Sequence, residues 1–168
     1  RGGTTMRALV TGATGFTGGH LARWLRRRGV EVRALARARD PRTAALEAEG
    51  IAVVIGDLAE PPSLADAVTG VDVVYNIAAI YRQAGVGADD YAAINARGVA
   101  ALIEAAARAG ARRVMHCSTV GVHGDVEHPP ADEDAPLRPG DEYQRTKLEG
   151  ERLGREAATR TGIELVIA

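Results

Sequence analysis

The segment that most restricts what this chain can become is Thr11-Gly12-Ala13-Thr14-Gly15-Phe16-Thr17-Gly18, which follows the short apolar run Met6 to Val10 and leads into a helical stretch. Three glycines at a strand-to-helix junction predict a phosphate-binding turn. Gly12 permits the tight turn, Gly15 lets the backbone approach a pyrophosphate that a Cβ would obstruct, and Gly18 permits close helix packing. An anion held there meets unpaired N–H groups at the positive end of a helix dipole. The spacing is G-x-x-G-x-x-G rather than G-x-G-x-x-G, and a lone glycine triplet is weak. Its place at the first strand-to-helix junction carries the assignment. Thr14, Phe16 and Thr17 belong to the same turn and join the glycines as candidate cofactor-binding residues.

Downstream, short β-branched runs alternate with longer Ala-, Leu- and Arg-rich stretches, the order of βαβ units around a parallel sheet. Strands are predicted at 6–11, 31–36, 52–55, 72–77, 113–118 and 163–167, and helices at 16–28, 42–49, 62–69, 88–109 and 142–161. Gly29, Gly50, Gly70 and Gly110 each follow a helical stretch, where a left-handed residue is wanted. Pro62 suits a first helical turn. The fold class expected is α/β, a doubly wound parallel sheet (Rossmann fold) in three α/β/α layers, formed by residues 6–168. Residues 1–5 precede a plausible native start at Met6 and are expected to be a cloning remnant. One stretch breaks the rhythm: residues 121–142 hold Pro129, Pro130, Pro136 and Pro139 with seven Asp or Glu. It reads as a long loop leaving the carboxyl end of the fifth strand, the ligand-binding edge of such sheets.

The second strand bears on the choice of cofactor. A carboxylate at its end would bind the ribose hydroxyls of NAD, whereas an arginine accommodates the 2′-phosphate of NADP. Here the strand ends Ala36-Arg37-Ala38-Arg39, so Arg37 favours NADP, with Arg39 as a second contact and NAD as the alternative.

Tyr143 and Lys147 stand four apart at the start of a predicted helix and therefore share a face. A phenol near pKa 10 is a poor base at neutral pH, and a neighbouring ammonium stabilises its phenolate. Of the 21 lysines and arginines, Lys147 is the sole lysine. Everywhere else a cation is supplied as guanidinium, and only here as the compact donor with a tunable pKa. Asp141 with Gln144 resembles a capping box, although Gly140 beside it leaves that N-cap open.

Composition narrows the field. The net charge of −1, with arginines spread along the chain, gives no nucleic-acid footprint. A single cysteine, Cys117, leaves no pair for a disulfide or a zinc site and suggests a reducing, cytoplasmic setting. His20, His116 and His128 make no ligand spacing, so no metal is assigned. No apolar run reaches the length of a membrane span.

The fifth strand ends His116-Cys117-Ser118-Thr119, with hydroxyls where a carbonyl or alcohol oxygen would need a hydrogen bond. With T-G-A-T-G-F-T-G at 11–18, G-D-L at 56–58, N-I-A-A at 76–79, the Asn95 helix, S-T-x-x-V-H-G at 118–124 and Y-Q-R-T-K at 143–147, the chain from Met6 to Ala168 resembles the extended short-chain dehydrogenases/reductases, the NAD-dependent epimerase/dehydratase family. That resemblance implies that Asp57 and Leu58 border the adenine and that Ala78 and Ala79 line the cofactor near its central phosphates and nicotinamide ribose. It makes Thr119, with Ser118 beside it, the catalytic hydroxyl. Tyr143 becomes the general acid or base, and Lys147 holds the ribose while lowering the Tyr143 pKa. Asn95 steadies the active-site side of its helix. His123 departs from the family's tyrosine and reads as a packing or loop residue. The resemblance also implies an Arg-Pro turn and a smaller C-terminal substrate domain, both absent from this sequence.

The reaction expected is hydride transfer between a nicotinamide and a secondary alcohol or carbonyl carbon, foremost of a nucleotide-sugar, with a dihydroflavonol- or cinnamoyl-type reductase as the alternative. Val120 and Gly121 stand where dehydratases of the family carry an Asp-Glu pair, so elimination of water is disfavoured. The rival from another class is a non-catalytic NADP-binding redox sensor, which the retention of both Tyr143 and Lys147 opposes. By the same resemblance a homodimer would form through the helices at 88–109 and 142–161. Gly150 and Gly154 inside the second helix would suit a close neighbour there.

Overall fold

The computed structural model describes residues 5–168, so the remnant expected at 1–5 lies, but for Thr5, outside the described residues. Six parallel strands form one sheet in the order β3-β2-β1-β4-β5-β6: β1 Arg7–Thr11, β2 Glu31–Ala36, β3 Ala52–Ile55, β4 Val73–Asn76, β5 Arg113–His116 and β6 Glu164–Ile167. This is the doubly wound order expected, and its direction reverses between β1 and β4, where a crevice opens at the carboxyl ends. The register pairs Thr11 with Leu35 on one side and with Asn76 on the other.

The period-2 alternation of the strands sorts side chains between two cores. Ala8 and Val10 face helices α1 (Phe16–Arg27) and α2 (Pro41–Ala48), packing with Ala22, Leu25 and Leu46. Leu9, Val74 and Val114 face the opposite way, against α3 (Ala65–Val68), α5 (Gly98–Arg108) and α6 (Glu142–Thr161), packing with Val68, Leu102, Ile103 and Ala157. The result is the three-layer α/β/α arrangement. Gly29, Gly50, Gly70 and Gly110 all take left-handed φ, between 69° and 81°, as their positions after helices require.

Two elements differ from expectation. The helix predicted at 62–69 is a 3-10 turn, Pro61–Leu64, that runs into the short α3: the Glu60 carbonyl accepts from both the N–H and the hydroxyl of Ser63, three residues on. The helix predicted at 88–109 is interrupted: α4 (Ala88–Ala92) continues through a π-helical turn, Ala93–Arg97, into α5. That wider turn carries Asn95 at its centre, and such π-bulges are frequent at functional sites.

The loop expected at 121–142 is present, with a 3-10 turn over Val120–His123 at its start. Arg138 N–H donates to the Val122 carbonyl and closes it. His123 Nδ1 lies 3.1 Å from the Ala135 carbonyl, in keeping with a loop-packing role. At the far end Asp141 is the N-cap of α6, accepting from the Gln144 N–H at 2.8 Å. The capping box is incomplete, because the Gln144 side chain accepts from Gly140 N–H rather than from that of Asp141.

Candidate active site

A groove of about 880 Å³ runs along the carboxyl edge of the sheet, across the crevice between β1 and β4. At one end lies the glycine turn. Gly12 has φ +69°, and a Cβ there would come within 2.8 Å of the Ala78 N–H nitrogen, so only glycine fits between the turn and the segment after β4. A Cβ on Gly18 would strike the Gly12 carbonyl, which makes this glycine a requirement of the turn's own closure. A Cβ on Gly15 would meet only the Gly12 carbonyl, at 3.3 Å, and its outward side is open to the groove. Gly15 is the N-cap of α1 with no side-chain cap, so the first N–H groups of that helix are available to an anion.

Beneath the turn is a polar chain that sequence reasoning missed. The Thr11 hydroxyl accepts from the N–H groups of Ile77 and Ala78 and donates to Asn76 Oδ1 at 2.7 Å. Asn76 Nδ2 lies 3.2 Å from His116 Nδ1. All three side chains are buried, and His116 Nε2 has no partner among the described residues. Burial first, and the Lys147 charge second, push the His116 pKa down to about 3, so the ring is neutral. The chain ties the end of β1 to those of β4 and β5, which holds the glycine turn in register with the opposite end of the groove.

That opposite end holds Tyr143 and Lys147. Lys147 is only 2% exposed, and its Nζ donates to the Cys117 carbonyl just beyond β5. Burial lowers its pKa to about 8, against the opposing pull of Cys117 and Glu151. Tyr143 is half-buried in the wall of the groove, its ring edge-on to that of Tyr81 with centroids 4.9 Å apart. The implied lowering of its pKa by Lys147 does not hold in this structure. Burial raises the phenol above its ordinary value, the Thr119 hydroxyl pulls the other way, and the ammonium of Lys147 is directed at Cys117.

The other expected residues divide. Thr14, Phe16, Thr17, Arg37, Asp57, Leu58, Ala78, Ala79 and Ser118 line the groove with the three glycines. Arg37 is exposed there, whereas Arg39 forms an ion pair with Glu47 at 2.6 Å. Asp57 doubles as a turn former, its carboxylate accepting from Ala59 N–H. Thr119 is beside Tyr143, and its hydroxyl also accepts from Gly121 N–H, capping the following turn. Ser118 is a correction: its hydroxyl donates to the Glu151 carboxylate at 2.5 Å and is not free for a substrate oxygen. Asn95 is buried away from the groove, where it clasps the Ile80 backbone through both amide atoms and donates to Thr146. It therefore positions the wall after β4 against α6. The i, i+4, i+8 series Tyr143, Lys147, Glu151 was the available signal for Glu151, and no comparable signal marked Tyr81 or the Arg82–Asp141 ion pair at 2.8 Å beside it.

Gly150 and Gly154 have an explanation within this chain. A Cβ on Gly150 would collide with the Asn95 carbonyl, and one on Gly154 would sit 3.3 to 3.6 Å from Ile103, Val99 and Leu165. These glycines let α6 lie close against the π-turn and α5, and they give no support to a second subunit.

Among the described residues no group of three or more His, Cys, Asp or Glu could hold a metal, and no helix is long and apolar enough to cross a membrane. The chain is 38% identical over 149 residues to sterol demethylase protein B of Methylococcus capsulatus, covering 87% of this chain and 45% of that protein. The fold superposes on a short-chain dehydrogenase/reductase superfamily protein from Agrobacterium tumefaciens, solved with NAD bound, with a TM-score of 0.84 and 33% identity over 96% of this chain and 48% of that one. DesIV, a dTDP-glucose 4,6-dehydratase from Streptomyces venezuelae solved with NAD, gives a TM-score of 0.85 and 30% identity, over 96% of this chain and 54% of that one. The chain thus spans about half the length of the relatives it matches. With residues 8–168 also matching its family model, the chain belongs to the NAD dependent epimerase/dehydratase family.

Proposed function

We propose that this chain is the cofactor-binding and catalytic part of an NADP-preferring enzyme that moves a hydride between the nicotinamide and a secondary alcohol or carbonyl carbon. The observation that carries the reading is the placement of the sole lysine. Lys147 is buried at one end of a groove whose other end is a glycine turn with room for a pyrophosphate, and Tyr143 stands one helical turn away. The residues fit a dinucleotide: open N–H groups at the α1 N-terminus for the pyrophosphate, Asp57 and Leu58 for the adenine side, and Ala78 and Ala79 along the middle. When bound, the nicotinamide supplies the hydride or accepts it. Tyr143 gives a proton to the substrate oxygen or takes one from it, Thr119 hydrogen-bonds that oxygen, and Lys147 holds the ribose. Burial keeps the phenol protonated at neutral pH, which is the form that donates in carbonyl reduction.

NADP is preferred to NAD in this reading because Arg37 is an exposed cation on the groove with no carboxylate at the same strand end, although relatives of known structure hold NAD. Calorimetric titration with NADPH and with NADH tests it. Tighter binding of NADPH supports the reading, tighter binding of NADH overturns the Arg37 assignment, and binding of neither overturns the site.

A nucleotide-sugar is the first substrate class, by likeness to DesIV. A second class, an apolar ketone or alcohol, is favoured by the exposed Tyr81 ring against Tyr143, by the 88% exposed Val120 beside Thr119, and by likeness to a sterol demethylase component. Assays of the full-length protein with both classes and NADPH separate them. The substrate would be gripped largely by parts of the protein outside these 168 residues, the setting would be cytoplasmic, and a homodimer would use the outer faces of α5 and α6. A Tyr143→Phe protein that kept every function would instead mark a redox-sensing module.

A further inference from the structure

Lys147 and Glu151 are successive i, i+4 positions on one face of α6, and they grip successive residues of the chain beyond β5. Lys147 Nζ donates to the Cys117 carbonyl, and the Glu151 carboxylate accepts from the Ser118 hydroxyl. The side chain of Glu151 is only 12% exposed, and its second oxygen accepts from Arg155 at 3.1 Å. A carboxylate withdrawn from water in this way is costly unless it meets donors and a counter-charge. Two donors are present, one of them its ion-pair partner Arg155, and the buried Lys147 stands one helical turn away on the same face.

We propose that Glu151 is a positioning residue for the catalytic pair, whose carboxylate turns the Ser118 hydroxyl away from the reacting oxygen and places a fixed negative charge one helical turn from the Lys147 ammonium. Its first consequence is a choice between two adjacent hydroxyls: Ser118 is committed to Glu151, and Thr119 alone remains beside Tyr143. Its second concerns charge. The ionisable groups facing Lys147 are His116 and Cys117 from the β5 side, and Tyr143 and Glu151 from α6 itself. His116 is neutral, and Tyr143, its pKa raised, is a neutral phenol at neutral pH. Against a burial that favours the free amine, Cys117 first and Glu151 second favour the charged form, and Glu151 is the carboxylate of the two. The inference uses the proposed role of Lys147 but is tested independently of it.

Because Lys147 is the only lysine, protein labelled with ¹³C,¹⁵N-lysine gives a single side-chain ammonium signal whose pH titration reads this residue directly. The midpoint expected for the unaltered chain is about 8. Glu151→Gln keeps an acceptor for Ser118 and removes only the charge, so the midpoint should fall by about one pH unit. At pH 8 a fall of that size leaves roughly one fifth as much ammonium, and NADPH should bind about fivefold more weakly, with little change at pH 6 where both proteins are charged. Ser118→Ala frees the carboxylate to turn toward Arg155 and should move the midpoint the same way by less, and it decides the matter should Glu151→Gln fail to fold. Unchanged midpoints overturn the proposal. A shifted midpoint in a protein that binds neither NADPH nor NADH would uphold the coupling while overturning the cofactor reading.

Discussion

Replacing Gly150 by alanine sets local propensity against tertiary packing, and the two predict opposite signs. In the middle of a helix, alanine is favoured over glycine by about 1 kcal/mol, so α6 considered alone should be stabilised. In the folded chain, however, the new Cβ falls on the Asn95 carbonyl oxygen, far inside contact distance. That oxygen belongs to the backbone of the π-turn, held in place by the double clasp of the Asn95 side chain on Ile80, so relief requires α6 and the π-turn to move apart. Overpacking of this kind costs about 3 kcal/mol at the upper end of its usual range, which leaves a net loss of about 2 kcal/mol after the gain in propensity. For a domain of this size the thermal midpoint should drop by roughly 4 to 8 °C. Gly154→Ala is the internal control: its Cβ would meet the movable end of Ile103 at 3.3 Å, so the gain in propensity survives in part and the midpoint should hold or rise. Thermal unfolding followed by circular dichroism at 222 nm reads both variants. A Gly150→Ala protein as stable as its parent would refute the argument that the approach of α6 to the π-turn dictates this glycine.

Three further outcomes follow from the site. Gly12→Ala combines an unfavourable φ of +69° with a clash against Ala78, and NADPH binding by calorimetry should be lost while the sheet still forms. Arg37→Ala should weaken NADPH binding about tenfold, on the order of 1.4 kcal/mol for one charge-assisted phosphate contact, and leave NADH unchanged; equal losses for both would sink the assignment. His116 has its folded pKa depressed from 6.5 to about 3, so as pH falls the unfolded chain binds the proton first. Its contribution is therefore complete above pH 6.5 and is lost as pH falls toward 3, at up to about 1.4 kcal/mol per pH unit. Urea midpoints between pH 7 and 4 should fall less steeply in His116→Gln, and parallel slopes would contradict the assignment of a buried neutral imidazole.

The order of elements could be read from the chain because the information is local. The Met6 to Val10 run, the glycine turn and the glycines after each helix report backbone requirements met within a few residues, and side-chain periodicity separates strand from helix. The π-turn escaped because Ala93–Arg97 has the composition of ordinary helix, and its extra residue is set by the Asn95 clasp on Ile80 and by the approach of Gly150. In the same way the 3-10 turn at Pro61–Leu64 depends on where Ser63 places its N–H and hydroxyl, which a helix-length pattern conceals.

For the site, the chain by itself determined which groups were available: glycines where a pyrophosphate would lie, an arginine at the end of β2, and one lysine four residues after a tyrosine. Tertiary structure alone decided where their hydrogen bonds go. Ser118 and Thr119 are equivalent as letters, yet Ser118 turns to Glu151, 33 residues away, and Thr119 stays beside Tyr143. Lys147 reaches a carbonyl 30 residues distant, and Thr11, Asn76 and His116 join across three strands. Residue type sets the donors and acceptors, which are properties of each side chain. Their pairing and their pKa values depend on burial and on neighbours brought together by the winding of the sheet, and these exist only once the chain has folded.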